Sequence, residues 1–178
     1  DVNVFSPDFD DAKLLRIDIS KSNQNWIFHI HNPNIFLFEK FQLFTELLSK
    51  NYERFGGAKA IITTEENVFV NETLIQDYWA YILDAIKDES SVSHQILLGQ
   101  TPKFVNNLIQ IHCPNELTKT HLVKNCIPKI QQAYMEVGFP KVGIHIQLDD
   151  ELHEKMTELF EQKEQQIQDD FNEAQKNA

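Results

Sequence analysis

The chain has 178 residues, 42% of them hydrophobic, with 27 acidic against 16 basic side chains and a net charge of −11. That hydrophobic share is too high for a disordered chain. The charge balance argues against a sequence-independent grip on nucleic acid, which needs clustered Lys and Arg; no basic stripe exists, and Arg16 and Arg54 stand far apart. An acidic surface fits solubility or a basic protein partner. Thirteen Phe imply aromatic-rich cores. The cysteines, Cys113 and Cys126, lie in apolar surroundings outside any CxxC and read as buried free thiols. With no signal peptide and no 18-residue apolar run, the expectation is a soluble, cytoplasmic protein; the start at Asp1 reads as a piece of something longer.

Residues 1–12 are acidic and turn-like around Pro7. Leu15, Ile17 and Ile19 alternate with Arg16, Asp18 and Ser20, which predicts a half-buried strand. After a polar turn at 21–25, Trp26, Phe28 and Ile30 alternate with Ile27, His29 and His31, predicting the hairpin partner with the Trp26 face inward. Asn32-Pro33-Asn34 ends it. The stripe Leu37, Phe41, Phe44, Leu48 predicts a helix over 38–52. Gly56-Gly57 closes that segment, and the β-branched run 58–64 is a third strand. The first module thus reads β-β-α-β.

A loop over 65–70 leads to Asn71, a plausible N-cap, with Val70 and Ile75 placed as a hydrophobic staple. Ile75, Tyr78, Trp79, Ile82 and Ile86 share one face of a helix over 72–86. A shorter helix over 90–98 ends at Gly99. Strands at 103–105 and 108–113 flank Asn106-Asn107, a pair that tolerates positive φ and so predicts a tight hairpin. A helix over 115–137 contains Pro128, which predicts a kink or break near Cys126-Ile127. Val142, Ile144, Ile146 and Leu148 form a last strand. The second module reads α-α-β-β-α-β. From Asp149 onward Glu, Gln, Lys and Asp dominate over a thin apolar stripe, predicting a projecting connector helix. The fold class is therefore α+β, with modules at 1–66 and 67–150 that lean on each other, then the acidic helix 151–178. No repeat of solenoid length is present.

Three clusters carry a family resemblance. They are Ser20-Lys21-Ser22 through Trp26-Ile27-Phe28-His29-Ile30 with the helix after it; Gln76-Asp77-Tyr78-Trp79; and Gln132-Ala133-Tyr134 leading to Gly138-Phe139-Pro140. In this order and spacing the chain resembles the N-terminal region of PolC-type DNA polymerase III α subunits of Gram-positive bacteria, described as two small domains ahead of an OB-fold and the catalytic parts. The resemblance implies a parent chain that is a DNA-directed DNA polymerase with 3′–5′ exonuclease. The family's polymerase, exonuclease and PHP motifs are expected beyond Ala178, and its helix ahead of the first hairpin is missing. The resemblance thus assigns no catalytic, cofactor-binding or metal-ligating residue to this chain.

Each candidate site has a structural competitor. His29 and His31 share a strand face, but a metal needs a third ligand. His112 and His145 become neighbours if their strands pair, most simply as a surface pair. Asp149-Asp150-Glu151 and Glu161–Glu164 are carboxylate clusters at a helix start and along an exposed helix, where the helix dipole explains the first. Cys126 and His121, five apart on one helix, are poorly spaced for an activated thiol. Gly56-Gly57 lacks a phosphate-loop pattern. Tyr78-Trp79 and Trp26 could stack single-stranded DNA, yet Glu72, Asp77 and Asp84 surround the first pair, which favours core packing. The expected role is non-catalytic: a protein-interaction module for a replisome component such as a clamp loader or helicase loader, with a single-stranded DNA or template-guiding accessory as the alternative.

Overall fold

The computed structural model describes residues 9–20, 25–88, 91–152, 154, 155, 157, 158, 161, 162 and 165–167. Its strands are β1 Lys13–Ile19, β2 Trp26–His31, β3 Ala58–Thr63, β4 Lys103–Val105, β5 Leu108–Cys113 and β6 Gly143–Leu148. Its helices are α1 Phe38–Tyr52, α2 Glu72–Leu83, α3 Ser91–Leu98, α4 Glu116–His121 and α5 Ile127–Glu136. The class is α+β, as the residue patterns imply. Described residues between 150 and 167 are helical.

The strands form two three-stranded sheets, ordered β1-β2-β3 and β4-β5-β6. Both have one topology. A hairpin joins the first two strands antiparallel, and a helical crossover returns the third strand parallel to the second. Parallel pairing needs such a long connection: α1 supplies it in the first sheet, the α4–α5 run in the second. Asn106 and Asn107, at φ 52° and 61°, make the tight turn of the second hairpin.

One apolar core runs through both halves. It takes Phe41, Ala60 and Ile62 from the first and Ile75, Tyr78, Trp79, Ile111, Tyr134 and Phe139 from the second. The sheets are stitched at the far edge of β3, where Ile62 bridges to Val137 at the end of α5. Thr64 Oγ1 donates to the Gly138 carbonyl beside it (2.7 Å), and Lys59 reaches Glu136 (3.0 Å). Gly138, at φ +95°, has no room for a side chain, since an added Cβ would stand 2.9 Å from Thr64 Cγ2.

Two expectations need correction. The first strand is exposed along its whole length rather than half-buried. Its register slips between Leu14 and Arg16, so a bulge at Leu15 lets Leu14, not Leu15, share the face of Ile17 and Ile19. Of the kink or break expected near Cys126-Ile127, the break is absent, and a local distortion of the helix stands at that place. Proline has no N–H for the Lys124 carbonyl and crowds it. The preceding residues Leu122–Cys126 widen into a π turn, with Ile127 N–H donating to the Leu122 carbonyl, and Pro128 falls in the first turn of α5.

Candidate functional site

The residues with chemical potential are mostly engaged by their own neighbourhood. On the open face of the first sheet, His29 Nε2 lies 2.8 Å from Asp18 Oδ2, and Arg16 Nε lies 3.2 Å from the same oxygen. His31 Nε2 instead meets Glu65 Oε1 at 3.4 Å. The two histidines thus share a face but turn to different carboxylates. Among the described residues no three His, Cys, Asp or Glu side chains stand together as a metal site.

On the second sheet, β5 and β6 pair in parallel, with His112 opposite Gln147 and His145 opposite Gln110. The two histidines are therefore diagonal neighbours on one face. His112 Nδ1 pairs with Asp149 Oδ2 (3.3 Å). The other oxygen of Asp149 accepts from Leu152 N–H (3.1 Å), capping the helix that follows. Asp149 is thus an N-cap and a close neighbour of the His112 ring at once. Asp150 and Glu151 are exposed beside it, as is Glu161; Glu164 lies outside the described residues.

His121 and Cys126 are not brought together: His121 Nδ1 faces Asn125 Nδ2 (3.0 Å), while Cys126 is fully buried across the π turn. Neither cysteine is in a disulfide. Burial, partly offset by a backbone hydrogen bond at Asn115 and by Lys119, raises the Cys113 thiol pKa, the wrong direction for a nucleophile.

Tyr78 and Trp79 belong to the core and offer no stacking platform. The Tyr78 hydroxyl donates to the Phe36 carbonyl (3.0 Å) and Trp79 Nε1–H to the Leu97 carbonyl (2.9 Å). The Tyr134 hydroxyl donates to the Ile75 carbonyl (3.0 Å). Burial drives the pKa of both tyrosines far upward. Trp26 packs with Phe28, Tyr52 and Phe55 in an aromatic group between β2 and the end of α1. Gly56 and Gly57, both at positive φ, end the short helical turn after α1. They contribute to a surface hollow with Ser49, Lys50 and Glu53 and to no phosphate cradle.

Sequence reasoning missed Gln100. Its Nε2–H donates to the His112 carbonyl and its Oε1 accepts from His112 N–H, both at 2.8 Å. The carboxamide continues the hydrogen bonding of β5 where the short β4, which ends its pairing at Gln110, no longer reaches. A Gln after a helix-ending Gly carries no distinctive pattern, so only the fold reveals this role.

Residues 77–178 match the family model described as DNA polymerase III polC-type N-terminus II, and residues 1–58 match DNA polymerase III polC-type N-terminus I. The chain is 28% identical over 167 residues to the DNA polymerase III PolC-type of Listeria monocytogenes, covering 93% of this chain and 12% of that protein. It is 23% identical over 168 residues to the same polymerase of Bacillus subtilis, covering 94% and 11%. It therefore spans about a tenth of the length of these relatives. No solved structure matches it.

Proposed function

Because the chain belongs to the PolC-type DNA polymerase III family, as its N-terminal region, we propose that it is a non-catalytic interaction module that attaches a replicative polymerase to another protein of the replisome. The observation that carries this reading is the division of labour among its side chains. Most of the described polar groups capable of chemistry, such as His29, Asp18, Asp149 and Gln100, are taken up by contacts within the fold. Large apolar side chains such as Phe69, Val92 and Leu117 are left on the surface. Chemistry needs a cleft with convergent polar groups; attachment needs exposed anchors on an ordered scaffold.

The net charge of −11 favours a partner with a basic face over a phosphate backbone. Clamp-loader and helicase-loader components are the candidates we put forward. The test immobilises the 178-residue chain and passes purified clamp-loader and helicase-loader proteins over it, with single-stranded DNA as a parallel analyte. Retention of one protein, weakened by Leu117→Asp or Phe69→Asp, is the expected result. Salt-sensitive binding of single-stranded DNA with no protein retained would overturn it in favour of a template-guiding role.

A further inference from the structure

The end strand β1 has two chemically distinct faces. Its register with β2 sets Ile17 opposite Phe28 and Ile19 opposite Trp26, on the side that Tyr52 of α1 covers. Yet Ile17 and Ile19 remain 41% and 54% exposed. Arg16 and Asp18 lie on the opposite face, across from His29 and Ile27. The backbone direction follows from the hairpin: Ser20 N–H donates to the Asn25 carbonyl (2.9 Å). Hydrogen-bonded positions alternate along an antiparallel ladder. Asp18 and Arg16 therefore turn their main-chain groups toward β2, while Ile17 and Ile19 turn theirs off the edge of the sheet.

The segment Arg16-Ile17-Asp18 is complementary to itself when run antiparallel. With a two-fold axis through Ile17, each Ile17 would exchange both main-chain hydrogen bonds with its twin. Arg16 then stands opposite Asp18 of the second copy, twice over, on one face. A register shifted by one sets outward-pointing backbone against inward-pointing backbone, and an axis through Ile19 leaves Arg16 without a partner. We propose that β1 pairs with β1 of a second copy of this chain about an axis through Ile17, joining two three-stranded sheets into one of six.

The opposite end of the sheet bears on whether such pairing would stop at two. There β3 already meets Val137 and Gly138 through the Ile62 bridge and the Thr64 bond. An isologous contact through β1 alone closes on itself. The bulge at Leu15 limits the regularly paired stretch to the three positions from Arg16 to Asp18, so the association is weak and concentration-dependent.

The test is sedimentation equilibrium of the 178-residue chain over a range reaching millimolar concentration. The apparent mass is expected to climb from 20.8 kDa toward twice that value. Arg16→Asp and Asp18→Arg each place like charges opposite one another and are expected to stay at the single-chain mass with unchanged circular dichroism. Mixed one to one they become complementary again, and the doubled mass returns. A fold defect could not be rescued in this way. A single-chain mass for the unaltered protein at every concentration overturns the proposal, as does a mixture that fails to associate. Protection of Ile17 and Ile19 amides by a different protein, with no self-association, would give the edge to a foreign strand and equally refute self-pairing.

Discussion

The two sheets share a topology and differ in how they finish the hairpin edge. In the second, β4 is only three residues long, and the Gln100 carboxamide takes over where it stops, leaving little free ladder. In the first, β1 runs seven residues, with Leu14, Leu15, Ile17 and Ile19 exposed. An open, apolar edge strand is a site of strand addition unless something blunts it, and among the described residues a bulge and an Arg-Asp pair are what does so. The same arrangement of strands thus yields a sealed edge in one half and an adhesive edge in the other. The proposed strand pairing uses the open edge of the first sheet, and the second sheet leaves little ladder for it.

The largest effect should come from cutting the stitch between them. Ile62 is fully buried at the bridge to Val137, and Ile62→Ala should destabilise by about 2–5 kcal/mol. Because one core serves both halves, chemical denaturation should show one transition, with amide exchange accelerating in both sheets together. Exchange that quickens in the first sheet alone would separate them. Unsealing the second sheet comes next. Gln100→Ala strands the His112 main-chain groups and should cost about 1–3 kcal/mol, seen as faster exchange at His112 N–H.

The tyrosines of the shared core give a pH test. Burial raises the Tyr78 and Tyr134 pKa values, so the folded state holds protons that the unfolded state releases near the ordinary value of 10.0. Stability is therefore fully present below pH 10 and falls as pH rises above it, by about 1.4 kcal/mol per pH unit for each group. Cys113, raised from 9.0 by burial, adds in the same direction. Thermal melts from pH 8 to 11 should show this decline, and Tyr134→Phe should make it shallower. The smallest effect concerns the second hairpin alone. Asn107→Ala places an ordinary side chain at φ 61° and should cost about 1 kcal/mol, measured as a shift in the denaturation midpoint.

Most elements were legible because their physics is local. The i, i+3, i+4 spacing of Ile75, Tyr78, Trp79 and Ile82 marks a buried helix face, and all four are buried. Asn71 caps its helix as expected, accepting from Leu74 N–H at 2.8 Å. Asn106-Asn107 turns as its chemistry requires. What stayed hidden depends on distant partners. Alternation over 15–19 cannot reveal a bulge, because the extra residue only matters once β2 sets the register. Nor can it distinguish an end strand from a covered one, so β1 reads as half-buried. Pro128 announces a disturbance, but its form, a widened turn with Leu122 and Cys126 buried in it, appears only in the fold. The candidate clusters were visible as residue types, while their structural employment, His112 with Asp149 above all, emerges only from pairing β5 with β6.

That last pairing has a mechanical consequence. The carboxylate of Asp149 grips the middle strand of the second sheet with one oxygen and the first turn of the following helix with the other. A change at Asp149 would therefore act on two elements at once, loosening the first turn of the helix at Leu152 and freeing the His112 side chain on β5 in the same step.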